Sequence, residues 1–140
     1  MPRVTPEGAL LRDSKRYLTI LERENVLTFN RVFSGPVIVG KGKYKRMVPN
    51  PNAGHSDLEI IYRGQIAYIE LKSAKGSLSD KQQLFLARMA KFGAKTAVIR
   101  TVLELISFLL EELKLNPQEA FPTELSKVYL IPPKQRGIEH

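Results

Sequence analysis

Two acids and a lysine lie close together in the middle of the chain, within a segment that has the pattern of a β-hairpin. Asp57, Glu70 and Lys72 belong to DLEIIY and QIAYIELK, two runs rich in Ile, Tyr and Leu. An Arg-Gly pair separates the runs, and a two-residue turn that contains glycine is typical of a hairpin. If this pair forms the whole loop, the register predicts that Asp57 lies opposite Glu70 on the neighbouring strand.

The predicted register brings the two carboxylates to one face of the hairpin, together with Lys72. Like charges opposite each other destabilise a sheet, because their Cβ atoms are only about 4.5 to 5.5 Å apart. A divalent cation would offset this repulsion. Mg²⁺ suits the pair, since it takes oxygen ligands and completes its shell with water and substrate phosphates. Lys72 would then orient or deprotonate the attacking water, or hold a scissile phosphate.

The same three residues also have a plain structural interpretation. In it, the hairpin face is exposed, Asp57 is solvated, and Glu70 makes only a lateral contact with Lys72. Charged hairpin faces are common, so the D…ExK spacing alone does not exclude this alternative. The residues around the hairpin favour the metal site.

Those surrounding residues resemble a known nuclease family. The pattern of Asp57, Glu70 and Lys72 is similar to the D…(D/E)xK signature of the PD-(D/E)XK nuclease superfamily, and its neighbours resemble the VRR-NUC family within it. The family often has proline directly before the aspartate. This chain has Ser56 there, which affects loop stiffness but leaves the ligand in place. The resemblance covers roughly residues 7–113, and the flanking residues that carry it are Gly54, Leu78, Ser79 and Gln82.

This resemblance implies a fold and a site. The expected fold is a single α/β domain with a central mixed β-sheet flanked by helices, the restriction-endonuclease-like core. The expected cofactor is Mg²⁺, with Mn²⁺ as a substitute. By the resemblance, Asp57 and Glu70 bind the metal, Lys72 serves the attacking water, and Gln82 supports the site. The backbone carbonyl of Leu71 and the side chain of Glu7 complete the expected ligand set.

Glu7 also has a structural interpretation. Thr5 and Pro6 predict the start of a helix that runs to about Glu24, with threonine as N-cap. The apolar stripe of this helix has Glu7 at its head. An acid in the first turn complements the helix dipole, worth about 0.3 to 1 kcal/mol. The alternative is that Glu7 points into the active site, where the resembling family places a glutamate.

Gln82 is open to two interpretations as well. With Ser79 it forms the pattern of a capping box, which predicts a helix to about Lys91 with Gly93 as its stop. The glutamine amide therefore bonds the backbone of Ser79, or reaches the catalytic face, or does both.

The charge of the chain favours a polyanionic partner. It has 22 Lys and Arg against 14 Asp and Glu, a net charge of +8. Several of these cations lie in GKGKYKRMVPNPN, residues 40–52, which we interpret as a mobile loop or hairpin tip that contacts the phosphate backbone. A solvated surface loop is the alternative, and Tyr44 within it is a weak candidate for stacking on an unpaired base. The predicted DNA contacts are Lys41, Lys43, Lys45, Arg46, His55 and Lys75. His55 is also open to being an incidental loop residue.

Further elements complete the predicted domain. Strands are predicted at residues 25–33, 36–39 and 95–100. The last is expected to run parallel to the second strand of the hairpin, because a helix connects the two. Thr101 and Glu104 predict a capping box for a helix to about Lys114, ended by Asn116 and Pro117. The residues of this helix expected to face the core are Leu103, Ile106, Leu109, Leu110 and Leu113. Residues 127–131 are a possible edge strand, and His140 has no expected role.

Composition sets the outer limits. The 140 residues suffice for one domain, with a core at about residues 5–114 and a C-terminal extension at 115–140. Without cysteine, the chain has no disulfide, thiolate zinc site or cysteine nucleophile. No apolar run is long enough to span a bilayer and no signal peptide is visible, so a cytoplasmic protein without membrane partners is expected.

Together these patterns predict a metal-dependent endodeoxyribonuclease. By the resemblance, stand-alone members of the family are similar to Holliday junction resolvases, so a homodimer that acts on branched DNA is expected, with duplex DNA as the other form of substrate. Three alternatives stay open: a non-specific or flap-selective DNA nuclease, an RNA nuclease, and a nucleic-acid-binding protein without catalysis.

Overall fold

The computed structural model describes residues 4–122. Helices and strands follow one another in the order that the patterns predict, with two additions: a short strand at Arg46–Val48, within the predicted loop of residues 40–52, and a short helix near the end of the described range. In chain order they are α1 (Pro6–Arg23), β1 (Thr28–Arg31), β2 (Val37–Val39), β3 (Arg46–Val48), β4 (Leu58–Tyr62), β5 (Gln65–Leu71), α2 (Asp80–Lys91), β6 (Lys95–Ile99), α3 (Val102–Glu111) and α4 (Pro117–Ala120).

The central sheet has four strands in the order β1-β4-β5-β6. Its first three strands are antiparallel neighbours, and β6 runs parallel to β5. A parallel pair needs a crossover connection, which α2 supplies. The sheet is therefore mixed and flanked by helices, which confirms the predicted α/β class. Strands β2 and β3 form a separate two-stranded hairpin.

The β4-β5 hairpin has the predicted register. Tyr62 pairs with Gln65 across a two-residue turn in which both Arg63 and Gly64 have positive φ. One face of the hairpin is fully buried against α1 and α3 and forms the centre of the core. The residues on this face are those expected from strand alternation, namely Leu58, Ile60, Ala67, Ile69 and Leu71. The opposite face carries Glu70, and α2 packs there through contact of the Phe85 and Tyr68 rings.

Helix α1 begins as predicted. Thr5 is its N-cap, and the threonine hydroxyl accepts the backbone N–H of Gly8 at 2.9 Å. The buried stripe contains Leu10, Ser14, Leu18 and Leu21 as expected. It also contains Tyr17, whose hydroxyl donates to the Ala120 carbonyl at 2.9 Å.

Two predictions about the end of the domain are wrong. Leu103 was expected in the core but is 66% exposed, because the buried stripe of α3 starts at Leu105, about 200° away around the helix. Asn116 and Pro117 do not end α3. They open α4, where the Asn116 side chain accepts the backbone N–H of Glu119 at 2.8 Å.

Two other patterns are only partly realised. The strand expected at residues 25–33 shortens to β1, because Asn25 has φ 59° and belongs to the turn after α1. The capping box at Thr101 is half formed, since Glu104 accepts the backbone N–H of Arg100 instead of that of the N-cap.

The core reaches past the predicted boundary at residue 114, because Leu115 and Ala120 are buried in it. The possible strand at residues 127–131 and His140 lie outside the described residues. In the described part of the chain, no helix combines the length and apolarity needed to cross a membrane.

Candidate active site

Asp57 stands at the entrance of β4 and is tied to the neighbouring strand. Its Oδ2 atom accepts the backbone N–H of Leu71 at 2.8 Å. The backbone pairing of β4 with β5 ends at Leu58 and Ile69. Beyond that point, the Asp57 side chain takes the place of a backbone partner for Leu71. The carboxylate of Asp57 is thereby held beside Glu70, as the predicted register requires.

Glu70 is buried, with 2% of its surface exposed. Its Oε1 accepts the side-chain amide of Gln82 at 2.9 Å and lies 4.0 Å from Nζ of Lys72. Among the described residues, its Oε2 has no hydrogen-bond partner. Burial raises the pKa of Glu70 to about 8, with a further contribution from the Asp57 carboxylate, while Lys72 acts in the opposite direction. The interpretation of this face as an exposed, solvated hairpin is therefore excluded for Glu70.

A buried carboxylate oxygen without a partner is costly unless a cation or donor satisfies it. Oε2 of Glu70 faces this cost beside a second carboxylate, and oxygen ligands in this arrangement fit Mg²⁺ or Mn²⁺. The donor set of Asp57, Glu70 and the Leu71 carbonyl is thus chemically suited to the expected ion. Across residues 4–122, no cluster of three or more acidic, histidine or cysteine side chains has ligand spacing.

Glu7 lies across the cleft from these ligands. It borders a cavity of about 440 Å³ together with Asp57, Leu71 and Ser73, and its charge contributes slightly to the raised pKa of Glu70. It does not join the two carboxylates in a ligand cluster. The structure therefore brings Glu7 to the site, while a direct bond from Glu7 to the metal stays a prediction.

Lys72 directly follows β5, where its backbone is hydrogen-bonded to β6 and its side chain is largely buried. Its backbone N–H donates to the Ile99 carbonyl at 3.0 Å, and only 13% of its side chain is exposed. The turn after it is fixed by Arg100, whose Nη1 donates to the carbonyls of Ser73 at 2.6 Å and Gly76 at 2.7 Å. Sequence reasoning missed Arg100, because a cation at the end of a short strand gives no local sign of such a role.

Gln82 performs both tasks that the sequence left open. Its Oε1 accepts the backbone N–H of Ser79 at 2.9 Å, and its own backbone N–H donates to the Ser79 hydroxyl at 3.2 Å. Its Nε2 donates to Glu70 at 2.9 Å. A single amide therefore closes the capping box of α2 and orients the buried carboxylate.

The loop before Asp57 packs against the first turn of α2. Gly54 has φ +87°, and a Cβ atom there would lie 2.9 Å from Cβ and 3.1 Å from the carbonyl oxygen of Lys81. Ser56 is fully buried, and its hydroxyl donates to the Leu58 carbonyl at 3.0 Å. Ser56, at the position where the resembling family often has proline, is thus itself a bonded part of the loop.

His55 is a packing residue in this arrangement. Its ring lies 4.3 Å from Phe85 and 5.7 Å from Tyr68 between centroids, and its Nδ1 is 2.8 Å from the Ser56 carbonyl oxygen. The half-buried ring helps to join α2 to the outer face of the sheet, and a contact with DNA stays a prediction.

Arg31 is a second cation that sequence reasoning missed. It lies at the end of β1 and borders the same cleft as Asp57 and Glu7. Its guanidinium lies 5.6 Å from the centroid of the Phe33 ring. In the sequence, the only sign of this role for Arg31 is its position near the end of a predicted strand. Its closeness to Asp57 results from the pairing of β1 with β4, which the local sequence does not reveal.

The other predicted DNA contacts lie outside the cleft. The structure places Lys75 on the exposed turn after β5. Lys41, Lys43 and Lys45 lie at the tip of the β2-β3 hairpin, which contains a short 3-10 turn at Gly42–Tyr44, and Arg46 is the first residue of β3. All four cations are exposed. The antiparallel pairing of β2 with β3 confirms the hairpin form of the prediction, while contact of these cations with DNA stays a prediction.

Comparison with known families agrees with this geometry. Residues 42–103 match the VRR-NUC domain. The matched segment includes the predicted ligands Asp57 and Glu70, and both Lys72 and Gln82. No curated protein has significant similarity to the chain.

Proposed function

We propose that the chain is a metal-dependent endodeoxyribonuclease, because residues 42–103 match the VRR-NUC domain, a nuclease domain of the PD-(D/E)XK type with a restriction-endonuclease-like fold. The observation that carries the proposal is the buried Glu70 carboxylate, which lies beside Asp57 with one oxygen unsatisfied among the described residues.

In the proposed reaction, Asp57, Glu70 and the Leu71 carbonyl would hold the ion. Mg²⁺ at this position supplies charge neutralisation of the phosphodiester and a lower pKa for the attacking water. Gln82 keeps the Glu70 carboxylate in one orientation through its 2.9 Å bond. Lys72 holds its ammonium group 4.0 Å from the same carboxylate, where it orients the water or stabilises the charge that develops on the phosphate.

The remaining groups of the cleft bind the substrate. Arg31 would hold a phosphate oxygen of the scissile strand, because this residue lines the same cleft as Asp57 and Glu7. The exposed cations of the β2-β3 hairpin hold the DNA backbone without reading bases. We further propose that the substrate is branched DNA and that a two-fold dimer places two sites across a junction.

The test is cleavage of a labelled four-way junction, a flap and a matched linear duplex, each with Mg²⁺, Mn²⁺ or EDTA. Wild type is compared with Lys72→Ala and with Lys15→Ala, which removes an exposed lysine of α1. We expect metal-dependent cutting by the wild type and by Lys15→Ala, and none by Lys72→Ala. Preference for the four-way junction would support the resolvase form of the proposal.

Other outcomes point to the alternatives. Equal cutting of all three substrates indicates a non-specific DNA nuclease, and preference for RNA over matched DNA indicates an RNA nuclease. Salt-dependent binding without cutting in any metal overturns the catalytic proposal and leaves a nucleic-acid-binding protein. Binding that stays intact in Lys72→Ala shows that the lysine serves the reaction rather than the complex.

A further inference from the structure

The β2-β3 hairpin carries an apolar pair that the phosphate contacts do not use. Ile38 and Met47 are directly paired across the two strands, and they are 64% and 66% exposed. The flanking pair of Val37 and Val48 is half-buried, so alternation places it on the opposite face. Among the described residues, the face with Ile38 and Met47 is therefore left uncovered.

The surroundings of this pair are cationic. Lys41, Lys43 and Lys45 are exposed at the tip of the hairpin, and Arg46 is exposed at the start of β3. Nζ of Lys43 lies 5.4 Å from the centroid of the 74% exposed Tyr44 ring. A protein surface that is both cationic and apolar matches a ligand with anionic and apolar parts. Unstacked DNA has both, in its phosphates and in the faces of its bases.

The hairpin leaves the central sheet beside the candidate active site. The chain departs after Arg31 and returns at Asp57, where the backbone N–H of Val32 donates to the Asp57 carbonyl at 2.9 Å. The side chain of Asn50 closes the base of the hairpin, donating to the carbonyls of Phe33 at 2.9 Å and Gly35 at 3.0 Å. DNA held at Asp57 therefore lies close to the stem from which the hairpin projects.

We propose that Ile38 and Met47 contact the base faces exposed at a branch point, and that this contact makes the protein prefer branched over linear DNA. The proposal rests on the proposed nuclease function for its substrate class. In a continuous duplex each base pair is stacked on both sides, so the apolar pair finds no partner there. At a branch, where stacking is interrupted, Ile and Met side chains can lie against the free faces, as apolar wedges do in proteins that kink DNA.

The experiment compares binding to a four-way junction and to a linear duplex of matched length in EDTA, so that catalysis plays no part. The variants are Ile38→Ser with Met47→Ser together, and Leu103→Ser as a matched control with equal exposure on α3. We expect the double variant to lose about tenfold in junction affinity, with little change for duplex. Leu103→Ser should leave both affinities unchanged. Thermal unfolding confirms that each variant is folded.

A second measurement separates the apolar pair from the cations. Lys43→Ala with Lys45→Ala should weaken binding to both DNAs alike and reduce the slope of affinity against salt by about 2, one for each phosphate contact. Fluorescence of 2-aminopurine placed at the branch should change on binding of the wild type. The change should be lost in the Ile38→Ser, Met47→Ser variant at saturating protein concentration.

Several results overturn this inference. The inference fails if the wild type binds junction and duplex equally well, or if the double variant still prefers the junction. It also fails if the double variant binds both DNAs more weakly by the same factor. A double variant that instead loses self-association in sedimentation shows that the pair is an interface between copies of the chain. Binding is measured without metal, so it does not depend on cleavage. If the protein cuts no DNA, the nuclease proposal is contradicted, but the binding data still test the role of Ile38 and Met47.

Discussion

A hydrogen bond of 2.9 Å joins Nε2 of Gln82 to Oε1 of Glu70 and thereby links α2 to β5 at the carboxylate itself. The other end of the same amide accepts the backbone N–H of Ser79. The start of the crossover helix and the orientation of the candidate metal ligand are therefore set by one side chain.

This double role is separable by mutation. Gln82→Ala removes both bonds, whereas Ser79→Ala removes only the hydroxyl that caps the helix. We expect both variants to lose about 0.5 to 2 kcal/mol in the free energy of unfolding. Cleavage by Gln82→Ala should fall about 10- to 100-fold, as is typical when the partner of a metal ligand is lost. An equal loss of cleavage in Ser79→Ala would show that the glutamine acts only through the helix.

The raised pKa of Glu70 makes stability depend on pH when metal is absent. The folded state binds the proton more tightly than the unfolded chain, because the pKa rises from 4.5 to about 8. The stabilisation is complete below about pH 4.5 and is lost as pH rises through 8. In EDTA, wild type should lose a few kcal/mol over this range relative to Glu70→Gln, at ~1.4 kcal/mol for each pKa unit. Urea unfolding at several pH values measures this, with the exposed Glu111→Gln as control.

Metal should reverse that loss at high pH. An ion that binds the folded state alone stabilises by about 2.7 kcal/mol at a hundred times its dissociation constant. We therefore expect Mg²⁺ to raise the midpoint of thermal unfolding of the wild type at pH 8, and to have no such effect on Asp57→Ala or Glu70→Ala. Equal shifts in all three proteins would place the ion elsewhere.

Gly54 and Gly64 form a matched pair for testing the loop before Asp57. Both have positive φ, near +87° and +81°. A Cβ at Gly54 would also collide with Lys81, whereas nothing lies within 4 Å of the corresponding position at Gly64. Gly64→Ala should cost about 1 kcal/mol from backbone strain alone, and Gly54→Ala clearly more. Chemical unfolding measures the loss in free energy of unfolding for each variant. Equal losses would show that the loop moves away from Lys81 without penalty.

Arg31 should contribute to substrate binding. Arg31→Ala is expected to weaken binding of DNA that occupies the cleft by about tenfold, the loss typical of one charge-assisted hydrogen bond. Arg12→Ala provides the control, because Arg12 is an exposed arginine of α1 that pairs with Asp13 at 3.1 Å. Steady-state kinetics should show the effect mainly in KM. A fall confined to kcat would assign Arg31 to the transition state instead.

The sequence was most informative where a signal is local. The two-residue turn determines which residues of β4 and β5 face each other, so the closeness of Asp57 and Glu70 followed from counting. Caps at Thr5 and Ser79 likewise depend on neighbours within one helical turn, and both helix starts were predicted correctly. The prediction for Asn116 and Pro117 was wrong because it also depended on a local signal. The same short motif can end one helix or start another, and here it starts α4.

What the sequence did not reveal depends on distant segments. Glu70 is buried because α2 crosses over its face, and strand alternation carries no information about that cover. The roles of Arg31 and Arg100 arise from strand neighbours far away in the chain. Leu103 shows the limit within one helix, since an apolar pattern does not reveal which side of α3 meets the sheet.

The bond between Val32 and Asp57 also has an evolutionary consequence. Because it joins the two ends of residues 32–57, the β2-β3 hairpin within this segment can change in sequence while its anchor points stay in register and the loop at Gly54 and Ser56 keeps its packing. If the hairpin selects the DNA structure as we propose, substitutions within it should change which DNA structures the protein accepts, while the carboxylates keep their geometry. On this proposal, target choice and bond cleavage are free to evolve separately, and grafting a foreign β2-β3 hairpin onto the same anchor points should redirect the protein.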